Sequence, residues 1–251
     1  MYWDQLTTYE IDKLDRRIPV IMSVSATEQH GAHLPLATDR MIGEHFCQLL
    51  HTAIPDKVLI LPMIQIGCSE HHLDFAGSLS VPHETLLAQL KGIASSVVRH
   101  GFKNLILLNS HGGNQAIGQS FFEIFGHRNP DINLVFATWW KLAIEELKAL
   151  NESGRGGAGH AGEFETSLML QIAPELVHLD KVKPKENQPT FDWAEGDMIY
   201  GSQASFFRSM KQMTPGGVYG DPSFASKAKG EKISKLILEK LKIIVSSLYT
   251  S

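Results

Sequence analysis

The sequence predicts an α/β fold in which a mainly parallel sheet is covered by helices on both faces. Two observations predict it. Short apolar, β-branched runs alternate with amphipathic stretches of helical period, at the close spacing of βαβ units. The runs are apolar at successive positions, as in strands buried on both sides. At 251 residues the chain is long enough to bury a substantial core, and residues 1–251 read as one domain.

The first strand is IPVIMSVSA, Ile18 to Ala26. LPLATDRMIGEHFCQLLHTAI then turns into a helix that Thr38 or Asp39 can cap, with Met41, Ile42, His45, Phe46, Leu49 and Leu50 at helical spacing. VLILPMIQIG, Val58 to Gly67, is a second strand with Pro62 in its middle. SVPHETLLAQLKGIASSVVRHG starts a helix at Pro82 and stops it at Gly101. NLILLNSH is a third strand, GNQAIGQSFFEIFGHR a helix and INLVFATWW a fourth strand. A helix through Leu147, the glycine-rich loop SGRGGAGHAG and a helix from about Glu163 to Leu176 follow. From Asp180 to Asp221 the pattern dissolves, and a long aromatic-containing irregular stretch of this kind suits an active-site rim or a subunit contact. The last helix carries one apolar stripe, Ile233, Leu236, Ile237, Leu241, Ile244 and Leu248.

Bulk properties exclude several classes. Hydrophobic residues make up 43% and charged residues 20%, which suits a globular chain and not a disordered one. The net charge is −4 with no basic block, so neither nucleic acid nor an anionic membrane is an expected partner. The polar, acidic start MYWDQLTTYE does not read as a signal peptide, and no apolar run reaches the ~20 residues of a bilayer span. Cys47 and Cys68 make no disulfide framework and read as two buried thiols. The expected location is the cytoplasm.

Chemistry concentrates where strands end and helices begin. Glu28 and His30, two apart in extended backbone, project to one side, and Asp39 returns from the first turn of the next helix. His111 follows the third strand, with Gly112 and Gly113 leaving room for close backbone approach. Glu165 opens a later helix. Imidazole mixed with carboxylate is the ligand set of zinc, manganese or iron. In a parallel sheet, ligands gather beyond the carboxyl ends of the strands, where Glu28, His30 and His111 all fall. Five such ligands, three of them anionic, suit two divalent ions that polarise an amide carbonyl and hold a bridging hydroxide. Each residue also has a plainer role: Glu28 as a strand-end acid, Asp39 and Glu165 as helix N-terminal acids, His30 and His111 as hydrogen-bonded loop histidines. Agreement of three separate segments on one sheet edge favours the metal reading. His33 is assigned to structure. His160, in its glycine loop, is placed to carry a proton to a leaving nitrogen, against the alternative of a histidine bonded to backbone. Glu163 reads as a cap or dipole partner. Trp139 and Trp140 are candidates for either core or pocket.

Other chemistries match less well. Gly157, Gly159 and Gly162 spell G-x-G-x-x-G, but no strand precedes them as a dinucleotide site requires. HGGN is similar to a lipase oxyanion loop, yet there is no G-x-S-x-G elbow, no H-E-x-x-H helix and no P-loop.

EQHGAHLPLATD, SEHH with DFAGSLS, NSHGGN, HAGEFETSLML and GVYGDPSFAS together resemble the creatininase family, in order and over nearly the whole chain. The resemblance implies a three-layer α/β/α sandwich, a two-metal centre and commonly a hexamer. It implies that Glu28 and His111 bind one metal, His30 and Glu165 the other, that Asp39 bridges them, and that His160 is the acid/base. Zinc comes first among the implied metals, with manganese and iron as alternatives, and Ser69 falls where the family has a substrate-contact serine. Creatininase proper has an aromatic and a further carboxylate ligand after the histidine matching His111, where this chain has Gly112 and Gly113. It also has a tryptophan–aspartate pair where this chain has Gly156 and Gly157. HGGN and HAGE look like the broader branch, which includes formamidopyrimidine deformylases and a peptidase of cofactor maturation.

The expectation is therefore a binuclear, metal-dependent amidohydrolase acting on a non-peptide or cyclic amide C–N bond of a small molecule, as a homo-oligomer. Two rivals remain from other classes: a metal-binding protein without turnover, and a dehydrogenase.

Overall fold

The computed structural model describes residues 1–250. Four strands, β1 (Val20–Val24), β2 (Leu59–Ile60), β3 (Asn104–Asn109) and β4 (Asn133–Thr138), form one parallel sheet in the order β2-β1-β3-β4. Its register sets Val20 beside both Leu59 and Leu105, and Asn104 beside Asn133. Successive side chains point to opposite faces of a strand, so each face acquires its own core. On one face Ile21, Ile106 and Leu108 pack with Phe46 of α2 (Thr38–Ala53), Leu168 of α7 (Glu163–Ile172) and Ile237 of α9 (Lys227–Thr250). On the other, Val20, Met22, Leu105 and Leu107 meet Leu86 and Leu90 of α3 (His83–Arg99) and Phe121 of α4 (Gln115–Arg128). The architecture is the three-layer α/β/α sandwich. Shorter helices complete it: α1 (Thr8–Lys13), α5 (Trp139–Leu142), α6 (Ile144–Leu150) and α8 (Met210–Met213).

Differences from the expected elements have local causes. The second strand pairs only at Leu59–Ile60, although Leu61 and Ile64 still donate to the Ile21 and Ser23 carbonyls. Pro62 has no N–H to offer between them, so the ladder breaks there. The fourth strand stops at Thr138, and both tryptophans turn into α5. The helix expected to reach Leu176 ends at Ile172, because Pro174 disfavours helical backbone at Ala173. In α9, Ile233, Ile237, Leu241 and Val245 recur every four residues and are fully buried. Among the described residues no helix is long and apolar enough to cross a membrane.

Parallel pairing sends every strand's carboxyl end to the same edge. That edge receives the residue 25–39 loop, the turn after β3 and the amino end of α7.

Candidate metal centre

Glu28, His30, Asp39, His111 and Glu165 converge there, all five buried. The Glu28–His30 segment is fixed by its backbone, with Glu28 N–H donating to the Leu36 carbonyl and Gln29 N–H to Ser78 Oγ. Asp39 comes from the first turn of α2, whose entry is tightened by the Thr38 hydroxyl donating to the Pro35 carbonyl. His111 is clamped by Asn109, which accepts from its N–H at 3.1 Å and donates to its carbonyl at 2.8 Å. Glu165 lies in the first turn of α7, where its Oε2 accepts from Ala161 N–H at 2.6 Å.

Asp39 is the hinge of the geometry. Its Oδ1 is 3.2 Å from His30 Nε2, and its Oδ2 is 2.9 Å from His111 Nδ1. Glu165 Oε2 adds to the His30 side at 3.7 Å, and Glu28 Oε1 to the His111 side at 3.3 Å. One carboxylate thus faces two separate imidazole–carboxylate pairs. The other nitrogen of each imidazole donates to backbone: His30 Nδ1 to the Glu28 carbonyl at 3.1 Å, His111 Nε2 to the Cys68 carbonyl at 3.1 Å. A metal-ligating histidine is oriented in this way. Gly113 makes the second bond possible, since a Cβ there would lie 2.1 Å from the Cys68 carbonyl oxygen.

The donor set suits cations. Three buried carboxylates share the pocket, and among the described residues no lysine or arginine pairs with any of them. Both oxygens of Glu28 and Oδ2 of Asp39 have no hydrogen-bond partner; the close imidazole contacts lie off the hydrogen-bonding line. A buried anion left like this is costly unless a positive charge accompanies it. Glu28–Asp39–His111 and His30–His160–Glu165 each bring ligand atoms within 4.8 Å of one another, as does Glu28–His72–His160. The electrostatics agree. Burial disfavours a proton on His30, but Asp39, Glu165 and Glu28 outweigh it and lift this imidazole to about 9. Burial, with Asp39 and Glu28 adding repulsion against the pull of His30, raises Glu165 to about 8. His160 goes the other way, held well below the usual imidazole range by burial and by His30 and His72.

The remaining candidates fall around this centre. His160 is partly buried, with Nδ1 3.4 Å from Glu28 Oε1. Ser69 is fully buried with Oγ 3.3 Å from His111 Nε2, behind that imidazole and away from the cavity lining. His33 bonds Thr166 Oγ1 at 2.9 Å. Glu163 makes no cap hydrogen bond; it is an acid of the first turn of α7, fully buried, and forms an ion pair with Lys229. Trp140 lines the cavity, and Trp139 is core. Gly159 and Gly162 abut the Tyr219 and Gly157 carbonyls, so the G-x-G-x-x-G loop packs against protein and leaves no phosphate cradle. Gln29 and His72, both buried beside Glu28, were not singled out from sequence. The SEHH run held the only signal for His72.

A cavity of about 840 Å³ opens over the centre, walled partly by Thr190, Ala194, Asp197, Ile199 and Phe206 of the long irregular segment. That segment is the rim of the cavity over the candidate centre.

Residues 4–245 match the family model for creatininase, described as creatinine amidohydrolase. The mycofactocin precursor peptide peptidase of Mycobacterium ulcerans (strain Agy99) is 28% identical over 229 residues, 85% of this chain and 79% of that protein. The creatinine amidohydrolase of Pseudomonas putida is 28% identical over 189 residues, 69% of this chain and 72% of that protein. A crystal structure of creatinine amidohydrolase superposes with a TM-score of 0.81 at 25% identity, covering 100% of this chain and 98% of that one. Creatininase structures described as Zn-Zn type and as Mn superpose similarly, with TM-scores of 0.81 and 0.80. The chain belongs to the creatininase family of hydrolases.

Proposed function

We propose that this protein is a two-metal amidohydrolase cleaving a non-peptide or cyclic amide C–N bond. The observation that carries the reading is the division of Asp39, one oxygen toward His30 and Glu165, the other toward His111 and Glu28. Two divalent ions bound there, zinc first and manganese or iron next, would supply Lewis-acid polarisation of the carbonyl and acidify water. The chain's own residues do the rest. Glu28, His111 and Asp39 would hold one ion; His30, Glu165 and the same Asp39 would hold the other. Backbone acceptors keep both ligating imidazoles in the tautomer the metals need. His160, its Nδ1 directed into the centre, takes a proton from water on the substrate side and delivers it to the leaving nitrogen. Ser69 supports His111 from behind, a role we put ahead of substrate contact.

A longer, peptide-like amide is the second reading. The large cavity, the exposed aromatic rim and the extent of similarity to the precursor peptide peptidase favour it. Gly113 bears on both readings. A Cβ there would lie 2.1 Å from the Cys68 carbonyl oxygen, so this pocket has no room for a further carboxylate at that position. The reading also takes the protein to be a homo-oligomer, a hexamer by family likeness.

The test is metal analysis and an amide screen, small lactams and formamides beside short peptides, on the wild type and Asp39→Asn. Two ions per chain with hydrolysis, both lost in the variant, is the expected result. Bound metal with no hydrolysis across the screen would leave a metal-binding protein without turnover.

A further inference from the structure

Gln29 lies between the two ligands Glu28 and His30 and is itself buried. Its amide orientation is determined on both sides. Gly31 N–H donates to Oε1 at 2.9 Å, and Nε2 donates to the Gly217 carbonyl at 2.9 Å. The second amide hydrogen has one acceptor available, His72 Nδ1 at 2.9 Å. An amide NH2 only donates, so His72 Nδ1 carries no proton. The neutral ring's proton is then on Nε2, which lies 3.4 Å from Glu28 Oε1.

The backbone of the same residue decides the second imidazole. His160 Nε2 is 2.7 Å from the Gln29 carbonyl oxygen. A carbonyl only accepts, so Nε2 is protonated and Nδ1 of the neutral ring is open. The 3.2 Å approach of Gln29 Nε2 to His160 Nε2 is therefore contact without a hydrogen bond. Both rings face Glu28 Oε1 at 3.4 Å, one presenting N–H and the other a lone pair.

We propose that Gln29 is a positioning residue that assigns opposite roles to the two histidines beside Glu28. His72 keeps its proton on Nε2, 3.4 Å from Glu28 Oε1, and is not a metal ligand, although it lies within ligand distance. His160 is held with Nδ1 free to receive a proton. The tautomer assignment stands on hydrogen-bond chemistry alone, and only the catalytic consequence rests on the hydrolase reading.

Long-range proton–nitrogen correlation on ¹⁵N-histidine-labelled protein tests it, metal-free and after loading with zinc. The expected result is His72 with its proton on Nε2 in both states. Zinc should shift His30 Nε2 and His111 Nδ1. A proton on His72 Nδ1, or loss of its Nε2 proton on zinc loading, would overturn the assignment whether or not the protein hydrolyses any amide. In Gln29→Leu, His72 should become a tautomer mixture with zinc stoichiometry unchanged. For the amide the wild type hydrolyses fastest, kcat should fall about 10- to 100-fold, the range for support of metal ligands, with KM nearly constant. Should that variant misfold, Gln29→Glu keeps the shape but offers an acceptor, and it should move the His72 proton to Nδ1. An unchanged His72 tautomer in the folded variant would refute the role of Gln29, and an unchanged kcat its catalytic consequence.

Discussion

Asp39 bears the heaviest demand of any single residue, because it alone faces both imidazole–carboxylate pairs. Asp39→Asn replaces a shared anion with a group that has one acceptor and one donor end. Metal stabilisation of a transition state is worth several kcal/mol, so turnover should fall at least about 100-fold, and metal content should fall with it. His160→Ala removes no ligand in the proposed scheme. It should keep both ions by elemental analysis and lose about 10²- to 10⁴-fold in kcat; normal turnover would end its catalytic role. Gly113→Ala puts a methyl group 2.1 Å from the Cys68 carbonyl oxygen and 2.4 Å from His111 Nε2. One of the two ions should then be lost, which titration with zinc would show as a halved stoichiometry. The five converging side chains were legible in sequence because each sits at a strand end or a helix's first turn. Gln29 and His72 were not. Gln29 matters through what a donor and a carbonyl meet 43 and 131 residues away, and no local pattern encodes that meeting.

At the level of elements, apolar runs and helical stripes located every layer of the sandwich. Boundaries slipped where one residue overrode the pattern, at Pro62, Pro174 and the turn into Trp139. Glu163 shows a different limit. From sequence it is one more acid at a helix start, but α7 packs beside α9 and brings it to Lys229, with Ser153 also bonded to its carboxylate. Removing one partner of a buried pair typically costs about 3–5 kcal/mol. Lys229→Met should therefore lower stability by that order in urea unfolding. Lys229→Met combined with Glu163→Gln should recover much of the loss, because no uncompensated buried charge remains; Glu152, the other carboxylate beside Lys229, is mostly exposed. Equal destabilisation in the single and double variants would show that the pair is not the source.

For the whole molecule, the parallel sheet explains why the site is where it is: all four strands deliver their ends to one edge, and the irregular segment closes over it. The sequence indicated a rim or a subunit contact for that segment, and its lining of the cavity makes it a rim. Its outer face still exposes aromatics, Phe207 at 84% and Phe191 at 54%, the latter stacked on Trp193 at 5.0 Å. Association of copies over this face would bury them, and sedimentation at micromolar concentration should find an oligomer; a monomer would count against self-association. Anomalous scattering from zinc-loaded crystals addresses the central claim most directly. Two peaks roughly 3.5–4 Å apart, one beside each Asp39 oxygen, are the expected result. A single peak, or none between Asp39 and its neighbours, would contradict it.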